Sequence, residues 1–124
     1  MVDLPLHPST YEYGRLFETF VISQIRAVLD YLKVQAQLSY LEVKDGGEID
    51  LIVERPGLPT LLVEIKSGET VREEDLLALK TYAREFGATA QAVCLYQGTL
   101  KRRLGEIDLL PWKEGLKDVG LWIS

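Results

Sequence analysis

Apolar and polar residues alternate along this chain with two different periods, and the change of period marks the expected helices and strands. A helical period predicts helices over 13–33, 69–86 and from Trp112 to near Gly120. An alternating or continuously apolar pattern predicts strands over the ranges 34–44, 49–54, 61–66, 90–96 and 106–110. The expected order is therefore one helix, three strands, a second helix, two strands and a short last helix.

The first helix has a wide apolar stripe with one acid in it. On a helical wheel its apolar side chains fill an arc of roughly 140°, and Glu18 falls inside that arc. Glu18 could extend toward solvent near the helix start or pair with a lysine. Alternatively, it points at a polar site where the helix meets the sheet, because a buried carboxylate is costly unless it is paired or binds a metal.

The strands 49–54 and 61–66 carry charged residues in otherwise apolar surroundings. Two prolines and a glycine between them predict a turn, so the two strands form a hairpin. Side chains two residues apart lie on the same face of a strand, and Glu64 therefore shares a face with Lys66. The hairpin can bring Asp50 to the same place as this pair, whereas Glu48 and Glu54 are expected to be solvated.

The segment after this hairpin has the pattern of a crossover. A strand, the helix over 69–86 and the strand over 90–96 follow one another, so the two strands are expected to be parallel. Thr70 and Glu73 resemble a capping box at the start of the helix. The range 97–105 is expected to be a loop, and 121–124 a tail.

Composition limits the class of protein. The chain has 124 residues, of which 47% are hydrophobic and 27% are charged, and these values fit a single globular domain over 13–124 after a tail or linker end at 1–12. The single Cys94 lies in an apolar run and is expected to be buried, which suits a reducing cytoplasm. We expect no secretion signal and no membrane span. The net charge of −5 argues against a protein that coats nucleic acid in bulk, although it allows a local basic patch.

The acids of the hairpin have the chemistry of magnesium ligands. Mg²⁺ prefers oxygen ligands, and Asp50 and Glu64 supply carboxylates while the carbonyl of Ile65 could supply a third oxygen. Glu18 would be a further ligand, directly or through water, and Lys66 could orient or help to deprotonate the attacking water. Such an array suits hydrolysis of phosphodiesters. The alternative is that Glu64 and Lys66 form an ordinary surface ion pair, which stabilises a fold little.

These residues resemble a known family. Asp50 followed by a turn, a strand and Glu64-Ile65-Lys66 is similar to the D…(D/E)-X-K pattern of the PD-(D/E)XK nuclease superfamily, and Glu18 resembles its frequent extra acid. The segments YGRLFETFV, GGEIDLIVE and LLVEIKSGETV look like the C-terminal domain of unknown function that follows many bacterial and archaeal AAA-type ATPase domains. The chain departs from these patterns in two ways, because Ile49 replaces the proline often found before the first acid and no ATPase domain is present.

The resemblance implies a fold and two competing functions. It implies an α/β (α+β) fold with a restriction-endonuclease-like core, α-β-β-β-α-β, in which helices flank a mixed sheet. The first function is a DNA nuclease dependent on Mg²⁺ or Mn²⁺, with Asp50, Glu64, Lys66 and Glu18 in its site. The second is a non-catalytic regulatory or partner-docking domain of the same fold. An AAA-type ATPase would then be the parent chain of this domain or its partner. The oligomeric state stays open.

A basic cluster lies outside these motifs. Lys101, Arg102 and Arg103 follow one another in the expected loop. Clusters of basic side chains attract the phosphates of nucleic-acid backbones, so these residues are candidate DNA contacts. The alternative is a solvated loop with no ligand.

Overall fold

A computed structural model describes residues 10–42 and 47–122 of the chain. The helices are α1 (Tyr11–Tyr31), α2 (Leu77–Phe86) and α3 (Trp112–Asp118), with 3₁₀ turns at Glu73–Leu76 and Gly87–Thr89. The strands are β1 (Gln37–Glu42), β2 (Glu48–Glu54), β3 (Thr60–Ile65), β4 (Ala90–Tyr96), β5 (Arg102–Leu104) and β6 (Ile107–Pro111). The expected order of elements is confirmed, with β5 as an addition.

The strands form one mixed sheet in the order β1-β2-β3-β4-β6-β5. β1, β2 and β3 pair antiparallel, as a hairpin pattern predicts, and β3 pairs with β4 in parallel. α2 connects these two parallel strands, so the predicted crossover is confirmed. The fold is α+β, with helices flanking a sheet that does not close into a barrel.

Each face of the sheet has its own hydrophobic core. α1 and α3 cover one face, where the strands contribute Leu51, Val53, Leu61, Val63, Ile65, Val93, Leu95 and Leu110. α2 covers the other face, where they contribute Ile49, Ile52, Leu62, Ala92, Cys94, Tyr96, Ile107 and Leu109. A strand that is buried on both faces has apolar residues at nearly every position, which explains the composition of β4. Cys94 is fully buried, as expected.

α1 starts slightly earlier than the sequence predicts. The hydroxyl of Thr10 accepts a hydrogen bond of 3.2 Å from the N–H of Tyr13, so Thr10 caps a helix that begins at Tyr11. α1 therefore includes the end of the predicted tail 1–12, whose residues 1–9 lie outside the described part of the chain. Lys33, with φ of 54°, follows the helix in the left-handed region. Among the described residues, no helix has the length and apolar character needed to cross a membrane.

The predicted start of the second helix is wrong. Residues 69–72 are not helical, and the 3₁₀ turn begins only at Glu73. Val71 is buried in the α2-side core, which holds this segment against the sheet. The cap also differs from the predicted Thr70–Glu73 box, because the N–H of Arg72 donates to the carboxylate of Asp75 at 3.0 Å.

The predicted loop and tail near the end of the chain are also wrong. Residues 97–105 contain β5, which pairs antiparallel with β6 at the edge of the sheet. Leu121, in the expected tail, is fully buried in the core on the α1 side of the sheet. Its N–H donates a 2.7 Å hydrogen bond to the carbonyl of Leu116, which folds the chain back after α3.

Candidate functional site

The site begins at an irregularity in β2. Ser39 pairs with Ile52 and Leu41 pairs with Ile49, so Asp50 and Leu51 together lie opposite the single residue Tyr40. This is a β-bulge, in which an extra residue locally changes the direction of side chains and interrupts pairing. The bulge places Asp50 at the point where β2 and β3 stop pairing, since their last paired residues are Leu51 and Val63.

Asp50 takes over the role of a main-chain acceptor at this point. Its Oδ2 accepts a 2.7 Å hydrogen bond from the main-chain N–H of Ile65, at the end of β3. Asp50 is 6% exposed, so the carboxyl lies inside the sheet rather than on its surface. In an extended strand the N–H and C=O of one residue point to the same neighbouring strand. The Ile65 carbonyl, which is the expected third oxygen ligand, therefore faces the side of Asp50.

Glu64 and Lys66 form an ion pair beside this acid. The Nζ of Lys66 lies 3.5 Å from Oε1 of Glu64. Glu64 is 5% exposed, whereas the side chain of Lys66 is 36% exposed. The pair is thus not an ordinary surface ion pair, because its carboxylate is buried and only its ammonium reaches solvent.

A second acidic group adjoins Asp50 on the α1 side. Carboxylate oxygens of Glu18, Glu48 and Asp50 all lie within 4.8 Å of one another. Glu48 was expected to be solvated and is indeed exposed, yet it belongs to this cluster. Its position two residues before Asp50 on the same strand is the signal that could have identified it.

The acids lie at the boundary of two adjoining clefts. Glu18 and Asp50 line the cleft between α1 and the sheet, and Glu64 and Lys66 line the cleft on the α2 side. Glu42 and Glu48 line both clefts. The four expected site residues therefore do not share one cleft, because Glu18 and Asp50 line one and Glu64 and Lys66 line the other.

The electrostatics of the acids reflect burial and crowding. Burial, followed by repulsion from Glu64, raises the pKa of Asp50 well above its ordinary value. Burial likewise raises the pKa of Glu64, against the attraction of Lys66. For Glu18, burial and then Glu48 raise the pKa. At neutral pH these three carboxyls are therefore stabilised by a bound proton or by a nearby cation.

This set of donors fits a hard divalent cation. Asp50, Glu64 and Glu18 offer carboxylate oxygens, and Ile65 offers a carbonyl oxygen, which are the ligand types that Mg²⁺ and Mn²⁺ prefer. Carboxylates that are buried together repel one another unless a cation or proton offsets their charge. Lys66 offers only one positive charge to this group.

The basic cluster lies away from this site and is partly neutralised. The Nζ of Lys101 lies 2.8 Å from a carboxylate oxygen of Asp118, and Arg103 makes a 2.8 Å hydrogen bond to Asp108. Arg102 and Arg103 are in β5, at the edge of the sheet opposite β1. The structure does not bring the basic cluster together with the acidic site.

Comparison with known proteins identifies a family for this chain. No curated protein matches the chain. A family model described as a domain of unknown function, DUF4143, matches residues 13–114, which include both acidic motifs and all strands of the sheet. This agrees with the resemblance to a domain of unknown function, and the chain belongs to the DUF4143 family.

Proposed function

We propose that this domain is a divalent-metal-dependent nuclease that hydrolyses phosphodiester bonds of DNA. One observation carries the proposal: the buried carboxyls of Asp50 and Glu64 interact with one another where β2 and β3 stop pairing, beside the partly exposed ammonium of Lys66. Acids that only stabilise a fold are seldom buried next to one another, because each raises the cost of ionising the other.

The ligands would come from three elements. Asp50 of β2, Glu64 of β3 and the Ile65 carbonyl would hold Mg²⁺ or Mn²⁺, and Glu18 of α1 would add an outer carboxylate. Glu48 lies close enough to Glu18 and Asp50 to serve with them. When bound, the cation supplies a Lewis acid that offsets negative charge on the phosphoryl group.

Lys66 would act on the substrate rather than on the cation. Its ammonium has no lone pair to ligate a metal at neutral pH, and Glu64 fixes its position through the 3.5 Å ion pair. The exposed end of the side chain can hold positive charge beside the scissile phosphate and orient the attacking water. Removing this group should therefore affect turnover more than metal affinity.

We also propose that the domain works with an AAA-type ATPase, as part of its chain or as its partner. The support is the resemblance of the three quoted segments to the domain that follows such ATPases, together with the family match over residues 13–114. An isolated domain of this kind would be expected to cleave slowly.

The test is cleavage of linear and supercoiled DNA while Mg²⁺ or Mn²⁺ is titrated. Metal-dependent cleavage that is lost in Asp50→Ala and Glu64→Ala is the expected result. A wild-type protein that neither binds divalent metal nor cuts any DNA or RNA rejects the proposal. That outcome favours the alternative, a non-catalytic regulatory or docking domain of the same fold.

A further inference from the structure

A groove runs between α1 and β1 and ends at the acidic cluster. Its walls include Arg15 and Arg26 from α1 and Tyr40 from β1, and Glu18 and Asp50 lie at one end of this cleft of about 630 Å³. A second concavity, which shares Arg26 and Leu38 with the first, continues beyond the end of α1 to Lys33. The surface therefore offers a continuous path toward the acids.

The cations of this path lie along one line. Arg15 and Arg26 are eleven residues apart in α1, so at about 100° per residue they lie on nearly the same side of the helix and about 16 Å apart. Lys33, just after the helix, lines the second concavity together with Arg26. All three side chains are exposed, and within the described part of the chain none of them is in an ion pair.

The acids along the groove are concentrated at its end. Glu18, Glu48 and Asp50 occupy the end near Arg15, with Glu42 beside them, and the continuation toward Lys33 has one carboxylate, Asp30. The path thus has a positive wall that leads to a cluster expected to need a cation. A polyanion can bind along this wall without a metal, whereas its contact with the acids themselves needs a cation that offsets their charge.

Tyr40 supplies an exposed aromatic ring at the same place. It is 69% exposed although it lies in the middle of β1, and it stands opposite the bulge formed by Asp50 and Leu51. Nucleic-acid bases stack on exposed aromatic side chains in proteins that bind single strands. A base stacked on Tyr40 would keep its flanking phosphodiester next to the acidic cluster.

We propose that the groove between α1 and β1 binds an unpaired nucleic-acid strand and guides it to the acidic site. The line of cations matches one phosphate backbone rather than two. The ring of Tyr40 needs a base whose face is uncovered, and bases inside a duplex are covered by their neighbours. The delivery of a substrate to the acids rests on the proposed nuclease function. The binding of a single strand in the groove does not depend on that function.

The experiment measures binding in EDTA, so that neither metal nor cleavage contributes. Fluorescence anisotropy compares a labelled 12-residue oligodeoxythymidine, the matching oligouridine and a blunt DNA duplex of equal length, each over a series of salt concentrations. We expect tighter binding of the single strands than of the duplex. The two single-stranded arms distinguish DNA from RNA as the preferred strand.

Two pairs of variants locate the binding surface. Arg26→Ala should lower the salt slope for the single strand by about 0.7, the value for one lost phosphate contact. Arg84→Ala removes an equal charge from the exposed surface of α2 and should leave the slope unchanged. Tyr40→Ala should weaken binding by about 5- to 150-fold, as expected for one lost base stack. Tyr31→Ala removes a similarly exposed ring, 70% exposed, outside the groove and should have no effect.

The outcomes separate this inference from the proposed function. Single-strand binding that depends on Arg26 and Tyr40 supports the groove even if no cleavage is ever detected. Cleavage of DNA by Arg26→Ala and Tyr40→Ala at wild-type rates, with wild-type binding, overturns the groove while the nuclease stands. Binding of duplex as tight as that of single strands also overturns it.

Discussion

The N–H of Ile65 donates its hydrogen bond to the side chain of Asp50 instead of to a main-chain carbonyl of β2. This 2.7 Å contact joins the two acidic motifs of the chain, because Ile65 lies between Glu64 and Lys66. It also fixes a buried carboxyl at the divergence of two strands. The properties of the site follow from this arrangement.

The first prediction concerns stability and pH. Burial and Glu64 raise the pKa of Asp50 in the folded protein, so its contribution to stability is complete at acidic pH and is lost as pH rises through the folded pKa. Asp50→Asn removes the charge and keeps an acceptor for the Ile65 N–H. We expect the gain in unfolding free energy of this variant over wild type to be larger at pH 8 than at pH 5, by at least about 1 kcal/mol. Urea unfolding at both pH values measures it, and equal differences would contradict the prediction.

The second prediction concerns metal binding. Because raised pKa values mean that the acids retain protons, binding of Mn²⁺ should release protons and tighten as pH increases from 6 to 8. Calorimetry in two buffers with different ionisation enthalpies measures the released protons. Asp50→Ala and Glu64→Ala should abolish binding, and Glu18→Ala should weaken it less. Binding with no pH dependence would exclude these acids as the ligands.

The third prediction separates binding from chemistry. Lys66→Ala should retain metal affinity but lose cleavage by about 10²- to 10⁴-fold, the usual range for a positioned proton-transfer or charge-stabilising group. Calorimetry and DNA cleavage are measured on the same preparation, with Lys80→Ala as the control for loss of a lysine elsewhere. A Lys66→Ala variant that cleaves as fast as wild type rejects the mechanism even if the nuclease activity is real.

The fourth prediction concerns the basic cluster in and beside β5. Lys101 and Arg103 are already paired with Asp118 and Asp108, so their replacement by alanine should change the salt dependence of DNA affinity little. Arg102→Ala should lower the slope by about 0.9 if this residue contacts a duplex phosphate. Binding isotherms at several salt concentrations measure this slope. An unchanged slope in the triple alanine variant would show that the cluster is a solvated surface that does not contact DNA.

The fifth prediction concerns the packing of α3. A Cβ at Gly115 would lie 2.5 Å from Cδ2 of Leu95 and 2.9 Å from Cβ of Leu110. Gly115→Ala should therefore lower the free energy of unfolding by about 1–3 kcal/mol, the usual cost of overpacking. Gly14→Ala in α1 is the control, because the nearest atom to its added Cβ is Oγ of Ser67 at 3.5 Å and the helix should gain about 0.5–1 kcal/mol. Chemical denaturation measures both changes in the free energy of unfolding, which should have opposite signs.

Local patterns were sufficient for most of the fold. The alternation in β2 and β3 and the prolines between them predict the hairpin, and a hairpin pairs its strands antiparallel by geometry alone. The strand–helix–strand order predicts the parallel pairing of β3 with β4. The apolar stripe of α1 predicts which side of it faces the sheet.

Errors occurred where distant packing competes with a local signal. Residues 69–72 have the composition of a helix start, but the burial of Val71 holds them in another conformation. Leu121 looks like part of a tail, but it is fully buried in the core on the α1 side of the sheet. Neither outcome is visible in a short window of sequence, because each residue is buried in a core that also contains residues distant in the chain.

The sequence by itself determined the identity of the acids, the lysine that follows them and the order of strands that brings them near one another. Tertiary structure alone decided that a bulge opposite Tyr40 turns Asp50 toward Ile65 and that Glu48 joins Glu18. It also decided that the acids lie between two clefts. The physical reason is that side-chain periodicity fixes a face within one strand, whereas the divergence of strands and the position of α1 result from packing across the whole sheet.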